Sequence, residues 1–399
     1  MRILVITNKY YEDDPRPQRE VRALLDAGYY VDLICPSRRE PTNLELTDGD
    51  KVNLRFYSLK ISRKRGSKFR YIFEYIIYFF FVNYMSTKLY FKYHHNIIQV
   101  CVMPEMLVLA CLIPKLMGAK ILMDWEDPMR EVFLSIYERK SNLFFLWLIG
   151  LFEKCSVVLA DHIITPNEGF RKVFLKRGVP YDKISIVMNS ADENVFNKER
   201  IKSNAGLYKK DFIINFTGTI VPRAGLDIAI RALSLIVNQE PFARLVIVGD
   251  GKNDYVEFCR NLADELGITE NIEFRGRVKL QDLPSIIIEA SIGIIPNRMT
   301  EFTKINFPTR ISEYALMKIP MIVPALSGIM DYMDEKSVCF FPPDNHEDLA
   351  RCIVELYHNP QKRHALAENA YRRYEKIRWG ETKKIYTRVI ADLVDVRAG

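Results

Sequence analysis

The chain has 399 residues, 57 of them basic and 50 acidic, for a formal net charge of +7. At ~100–200 residues per domain that length predicts two domains. An apolar share of 48% with 27% charged residues excludes a disordered, collagen-like or low-complexity chain. Seven cysteines without a CxxC pair read as small apolar residues in a reducing compartment rather than a disulfide framework.

Met1-Arg2-Ile3-Leu4-Val5 runs straight into a strand, with no n-region or cleavage site of a secretory signal. Short Val/Ile-rich runs predict strands at Ile3–Thr7, Val31–Cys35, Ile97–Val102, Lys120–Asp124, Ile163–Thr165 and Ile184–Met188. The segment from Lys60 to Arg70 holds six basic residues, and an aromatic run from Tyr71 to Tyr84 follows it. The apolar stretch Ile72–Met85 is shorter than the ~20 residues that span a bilayer. Basic segment and aromatic helix together fit a contact with a membrane surface. A helix packed on its own domain, with the basic residues solvated, fits equally. Nucleic acid is the weaker reading, because basic and aromatic residues do not interleave at strand spacing.

Asn197–Asp211 is charged, contains Gly206 and lacks an apolar run, so it is the expected linker. A second set of strands follows at Phe212–Thr217, Arg244–Val248, Ile272–Phe274, Gly293–Ile295, Met321–Val323 and Val338–Phe341. Amphipathic stretches lie between the strands, such as Arg19–Ala27, Leu226–Asn238, Asp254–Leu266 and Ile311–Met317. This alternation predicts an α/β fold of parallel sheets covered on both faces. Twelve strands exceed one open sheet, so two sheets of about six are expected. The expected domains are residues 1–200 and 201–378, with 379–399 a helix packing back on the first. Two doubly wound Rossmann-like domains would face a cleft, with ligands at strand carboxyl ends beside helix N-termini.

Three windows stand at such ends. Gly218-Thr219-Ile220-Val221-Pro222-Arg223-Ala224-Gly225 joins a strand to a helix. Its backbone N–H groups and Arg223 suit a phosphate; a plain turn with an exposed Arg is the alternative. Pro308-Thr309-Arg310 opens a helix on which Arg310 and Glu313 share a face. A cation there suits a pyrophosphate and the carboxylate suits two ribose hydroxyls; a surface ion pair is the alternative. Asp124-Trp125-Glu126-Asp127-Pro128 gathers three acids after a strand. Glu126 or Asp127 is a candidate general base or sugar-orienting group, and Asp127 is also a candidate helix N-cap. No GxGxxG follows the first strand. Gly249-Asp250-Gly251 reads as a turn, and the six histidines carry no zinc spacing.

Together these segments resemble the retaining glycosyltransferases of family 4, with the GT-B fold. The match runs in order through Val102–Glu105, Gly118–Lys120, Asp124–Glu131, Glu153-Lys154, Ala160–Thr165, Met188–Ser190, Gly218-Thr219, Gly225–Asp227, Gly276–Val278, Pro308–Arg310 and Glu313-Tyr314. In pattern they are most like bacterial exopolysaccharide and O-antigen sugar transferases. The resemblance implies transfer of a sugar, with retention and without metal or other cofactor, from a nucleotide-sugar donor (a UDP- or GDP-sugar). The acceptor would be lipid-linked or a glycan in cell-surface polysaccharide synthesis.

Residue by residue, Glu313 matches the ribose-binding glutamate and Arg310 a basic residue at the diphosphate. Arg277 and Val278 stand where the backbone meets the base, and Gly218 and Thr219 at the phosphate loop. Arg223, Pro308 and Thr309 complete the donor site. The acceptor is expected near the loop Lys9–Arg19, at Arg16 and Arg19. The catalytic set is Glu126, Asp127 and Arg310. The chain departs from the pattern at Glu126 (usually His), Thr219 (usually Arg), Ala224 (usually Lys) and Ile305 (usually Glu). Arg223 can substitute for the missing phosphate-loop cations. Glu126 also motivates an alternative, a catalytically silent GT-B partner of an active transferase. A nucleotide-sugar epimerase is the more distant one. The expected location is the cytoplasm, peripheral on the inner membrane face through Lys60–Tyr84.

Overall fold

A computed structural model describes residues 1–37, 53–61, 68–102, 104–137, 143–197 and 211–395. The expected linker falls almost wholly outside them, as does most of the basic stretch before Lys68. The chain divides into two compact units, residues 1–188 with 382–399, and residues 189–381. The first unit thus gives up the chain at residue 188 and takes it back at 382.

The first unit is built on strands β1 (Arg2–Thr7), β2 (Tyr30–Ser37), β3 (Leu54–Lys60), β4 (Ile97–Val102), β5 (Lys120–Trp125), β6 (His162–Thr165) and β7 (Ile184–Ile186). They form one sheet in the order β3-β2-β1-β4-β5-β6-β7, with every pairing parallel. The central strands are apolar along their whole length because helices cover both faces: every residue of β4 is buried, as are the last five of β1.

The helices are α1 (Pro15–Asp26), α2 (Lys68–Tyr93), α3 (Leu112–Leu116), α4 (Met129–Tyr137), α5 (Leu143–Leu159) and α6 (Glu168–Lys176). The step from β1 to β2 runs one way across the sheet. The steps β3 to β4, β4 to β5, β5 to β6 and β6 to β7 run the other. Right-handed crossovers therefore put α1 on one face and α2 to α6 on the opposite face.

The second unit has strands β8 (Phe212–Thr217), β9 (Ala243–Val248), β10 (Ile272–Gly276), β11 (Ile292–Ile294), β12 (Met321–Pro324) and β13 (Cys339–Phe341), in the order β10-β9-β8-β11-β12-β13. Its helices are α7 (Leu226–Ser234), α8 (Asn253–Glu265), α9 (Leu283–Ile287), α10 (Thr309–Leu316), α11 (Ser327–Met330), α12 (His346–His358) and α13 (Pro360–Glu375). Its core gathers Phe216, Leu226, Ile230, Ile247, Ile292, Phe341 and Leu349.

The last helix, α14 (Trp379–Asp395), carries Tyr386, whose hydroxyl donates to Gln99 Oε1 on β4 at 2.6 Å. Gln99 in turn donates to Glu20 Oε2 on α1 at 2.6 Å, and Lys383 pairs with Asp26 at 2.8 Å. These partners place α14 on the α1 face of the first sheet.

The all-parallel α/β architecture is the one expected, with a seventh strand, β3, that the sequence pattern did not mark. The aromatic helix is longer than the apolar run, extending from Lys68 to Tyr93.

Candidate active site

Each sheet reverses its strand order once, between β1 and β4 in the first and between β8 and β11 in the second. Ligands of doubly wound sheets gather beyond the strand ends at such points. In the second unit a cavity of about 270 Å³ opens there. Gly218, Thr219, Val221, Arg223 and Ala224, all after β8, line one side. Asn297 follows β11, and Phe302, Thr303, Asn306, Pro308, Thr309 and Arg310 line the rest.

The loop after β8 is held by its backbone. Gly218 N–H donates to Val248 O at 2.9 Å and Ile220 N–H to Asp250 O at 2.9 Å. Gly249 adopts φ +148°, and a Cβ there would stand 1.9 Å from Gly218 O. The Gly249-Asp250-Gly251 turn is thus the floor of the glycine loop, and only a residue without a side chain permits that approach.

Pro308 opens α10 with no side-chain cap, so the helix presents the cavity with first-turn N–H groups and the positive end of its dipole. Tyr314 anchors that helix. Its hydroxyl lies 2.9 Å from both Asn215 O and Asn215 Oδ1, and 3.1 Å from Thr217 Oγ1.

Arg310 is half-buried. Nη1 donates to Thr217 O at 2.7 Å and Nη2 to Asn297 Oδ1 at 3.0 Å, with the guanidinium 5.3 Å from the Phe216 ring centroid. Burial draws its pKa below the usual value. Among the described residues no ion pair joins it to a carboxylate, so the surface pair with Glu313 does not form. Arg223 lies across the cavity with its guanidinium 6.0 Å from the Phe302 ring centroid. The lining therefore has two cations, neutral amides and hydroxyls, and no acid. That arrangement suits a multiply charged anion.

Glu313, Arg277 and Val278 are not among the residues that line it. Glu313 is half-buried one turn into α10. Burial pushes its carboxyl up to about 7, against the pull of Arg310. Arg277 is exposed and Val278 half-buried in the segment after β10.

In the first unit, Glu126 is buried at the end of β5. Its Oε2 stands 2.5 Å from Lys9 Nζ, which also approaches Asp14 Oδ2 at 3.1 Å. Burial pushes the Glu126 carboxyl up to about 8, with Lys9 pulling the other way. Burial would lower the Lys9 pKa, but the two carboxylates outweigh it and hold the ammonium above its ordinary range. Lys9 keeps its side chain half-exposed, so this pair presents a cation at the strand end.

Asp127 is half-buried beside it. The first-turn N–H of α4, that of Met129, donates to Glu105 Oε1 at 3.3 Å, and Trp125 Nε1 donates to the same oxygen at 3.4 Å. Burial raises Glu105 to about 7.

Arg16 corrects an expectation. It is 4% exposed and turned inward, not toward an acceptor. Its Nε and Nη2 donate to Asp124 at 2.9 and 2.6 Å, and Nη1 donates to Val187 O at 2.7 Å. Glu20 Oε1 lies 3.4 Å from its Nε. Glu20, Cys101 and Asp124 would otherwise bring three metal-type ligands within 4.8 Å; the guanidinium already neutralises that group. Arg19 is half-buried on the same helix.

Sequence reasoning named Lys9 only as the start of the expected acceptor loop and gave it no partner, although it stands two residues after the first strand. It also missed Asn297, Phe302 and Thr303, which belong to no charged or glycine-rich motif, and gave no role to Asn306, which opens the segment before Pro308.

Residues 197–373, most of the second unit, match the family described as Glycosyl transferases group 1. A GDP-mannose-dependent monoacylated alpha-(1-6)-phosphatidylinositol monomannoside mannosyltransferase of Corynebacterium glutamicum is 24% identical over 43% of this chain and 44% of its own. The chain spans about half the length of the curated relatives it matches. A sucrose-phosphate synthase from Thermosynechococcus elongatus superposes with a TM-score of 0.79 at 16% identity, over 99% of this chain and 100% of that one. HepE of Anabaena, in complex with UDP, superposes with a TM-score of 0.70 at 15% identity, over 98% and 100%. Two parallel Rossmann-like units along nearly the whole chain make this the GT-B fold.

Proposed function

We propose that this protein is a glycosyltransferase that takes a sugar from a UDP- or GDP-sugar and places it on a lipid-linked or glycan acceptor in cell-surface polysaccharide synthesis. The observation that carries the reading is the acid-free cavity at the β8/β11 reversal, with Arg310 and Arg223 facing it and the N-terminus of α10 at its rim. A leaving nucleoside diphosphate gains charge as the glycosidic bond breaks, and preorganised cations and N–H groups stabilise that charge without a metal.

In this reading Gly218, Thr219, Pro308 and Thr309 surround the phosphates. Glu313 fixes the ribose, and Arg277 and Val278 approach the base. Glu126 and Asp127 position the sugar for transfer with retention, with Lys9 supplying the hydrogen-bond donor that Glu126 cannot. Arg19 remains the acceptor-side candidate. Two named neighbours support the donor class: HepE is seen with UDP, and the corynebacterial relative is named for GDP-mannose. The lipid phosphatidylinositol in that relative's name supports a lipid-linked acceptor; in this reading the enzyme acts on the cytoplasmic membrane face.

Thermal shifts with UDP, GDP, ADP and CMP test the donor site, because a ligand that binds only the folded state raises its stability by mass action. One diphosphate is expected to raise the melting temperature in the parent protein and not in Arg310→Ala. No shift with any nucleotide would overturn the donor site.

A second reading is a silent GT-B partner of an active transferase. The engagement of Glu126 by Lys9 favours it. Donor binding without transfer or hydrolysis, with turnover appearing in Glu126→His, would support that reading over the first.

A further inference from the structure

The large apolar side chains that unit 1 exposes lie mostly on one face of its sheet. On α2, Phe73, Ile76, Ile77, Phe80, Tyr84 and Phe91 are exposed at helical spacing, Phe80 by 65%. On α5, Phe144, Trp147, Leu151 and Val158 recur at three, seven and fourteen residues, with Trp147 61% exposed. Between these helices runs the segment Glu105–Leu116. Asn83 and Ser86 of α2 donate to Ala110 O at 3.1 and 3.2 Å, and Ser156 of α5 donates to Glu105 O at 2.7 Å. Both helices thus turn their polar anchors inward onto that segment and their aromatic stripes outward. Leu116, 76% exposed at the end of α3, stands on the same side.

The exposed charges described on these helices have one sign. Among the described residues of α2 to α5, the exposed charged side chains are Lys88, Lys92, Arg130 and Lys154. The acids of these helices are withdrawn: Glu74 is half-buried, and Glu131 and Glu153 are both paired with Arg177. Lys88 Nζ lies 5.5 Å from the Tyr84 ring centroid, so a cation borders the aromatic stripe itself. No described helix is long and apolar enough to cross a membrane. Apolar and aromatic stripes whose exposed charged neighbours, among the described residues of these helices, are cations fit a surface half-immersed among anionic headgroups, with rings at the acyl boundary and ammonium groups at the phosphates.

We propose that the outward faces of α2, α3 and α5 form a single docking surface for an anionic phospholipid bilayer, with α3 between the two longer helices. This extends the membrane contact of the proposed function well beyond Lys60–Tyr84. It does not depend on sugar transfer, because the test contains no nucleotide or acceptor.

The test uses the full chain carrying Trp379→Phe. Trp125 is fully buried, so Trp147 is the remaining indole able to report a change of medium. Vesicles of phosphatidylcholine alone, or with about a third phosphatidylglycerol, are added at near-physiological salt, where the screening length is ~8 Å. Co-sedimentation with the anionic vesicles and a blue shift of Trp147 emission are expected. Phe144→Ser with Trp147→Ser should cut co-sedimentation about tenfold, as loss of two buried rings requires. Lys88→Glu with Lys154→Glu should remove the preference for anionic vesicles. These positions are exposed, and an unchanged melting temperature checks each variant's fold. Absence of vesicle binding overturns the proposal, as does binding that survives the α5 substitutions. A blue shift that grows with protein concentration without vesicles, with a dimer in light scattering, assigns the surface to a second copy and overturns it too.

Discussion

Arg310 is a cation whose hydrogen bonds go to a carbonyl and an amide rather than to an acid. Keeping such a group from water costs free energy, which a bound anion offsets. Charge-assisted bonds of this kind contribute ~1.5–3 kcal/mol. Arg310→Ala is therefore expected to weaken nucleoside diphosphate binding by ~10–100-fold in calorimetry, and Arg310→Lys by less, since lysine keeps the charge and loses the fork.

Glu105 gives a pH test. Burial raises its carboxyl to about 7 from the usual 4.5. Between those values the folded state binds a proton that the unfolded chain has released. Its contribution to stability is whole below about 4.5 and falls as pH rises toward 7. Glu105→Gln keeps an acceptor for Met129 and Trp125 and removes the titration. The decline in melting temperature from pH 5 to 7.5 should become shallower in that variant. An unchanged slope would assign the decline to other groups.

At this scale the sequence was legible where a motif carried the residue: the cavity takes in Gly218, Thr219, Arg223, Pro308, Thr309 and Arg310, all marked beforehand. Arg16 misled because a guanidinium near a strand end reads the same whether it faces a ligand or a buried aspartate 108 residues away.

At the scale of elements, the strands that were legible are the buried ones. Runs such as Ile97–Val102 have no polar face and admit few readings. Among the described residues β3, Leu54–Lys60, pairs with β2 alone at the sheet edge, and most of it is half-buried or exposed. Its composition, LRFYSLK, therefore carries neither the apolar run of a central strand nor a clean alternation.

Gly293 on β11 shows how closely α10 is seated: a Cβ there would lie 2.7 Å from the Tyr314 ring. Gly293→Ala should push Tyr314 from its bonds to Asn215 and tilt the N-terminus of α10. Overpacking of this kind costs ~1–3 kcal/mol, and the variant should lose nucleotide affinity as well as stability, read by urea unfolding and calorimetry together. The seat of α14 yields a second stability prediction. Tyr386→Phe leaves Gln99 Oε1 buried without its donor and should cost ~1–3 kcal/mol in urea unfolding.

At the scale of the molecule, each unit has its own sheet and core, and the candidate donor site lies wholly within the second. Hydrogen exchange with and without the diphosphate that binds should show protection in 218–224 and 297–310, where the backbone lines the cavity. The strands of the first unit should exchange as before. Protection centred on Glu126 instead would move the nucleotide site to the first unit.

The division into units also bears on how the protein is made. Tyr386 and Lys383, from the last helix, close the face of a sheet whose first strand begins at Arg2. A ribosome delivers that helix only after all of residues 189–381 has been synthesised, so the first unit emerges early but waits, with the Gln99–Glu20 pair uncapped, for the last segment to arrive. The two units thus cannot mature in the order in which they are translated. A nascent chain halted at residue 381 would hold a complete second unit and an unfinished first one, open to proteolysis at the α1 face.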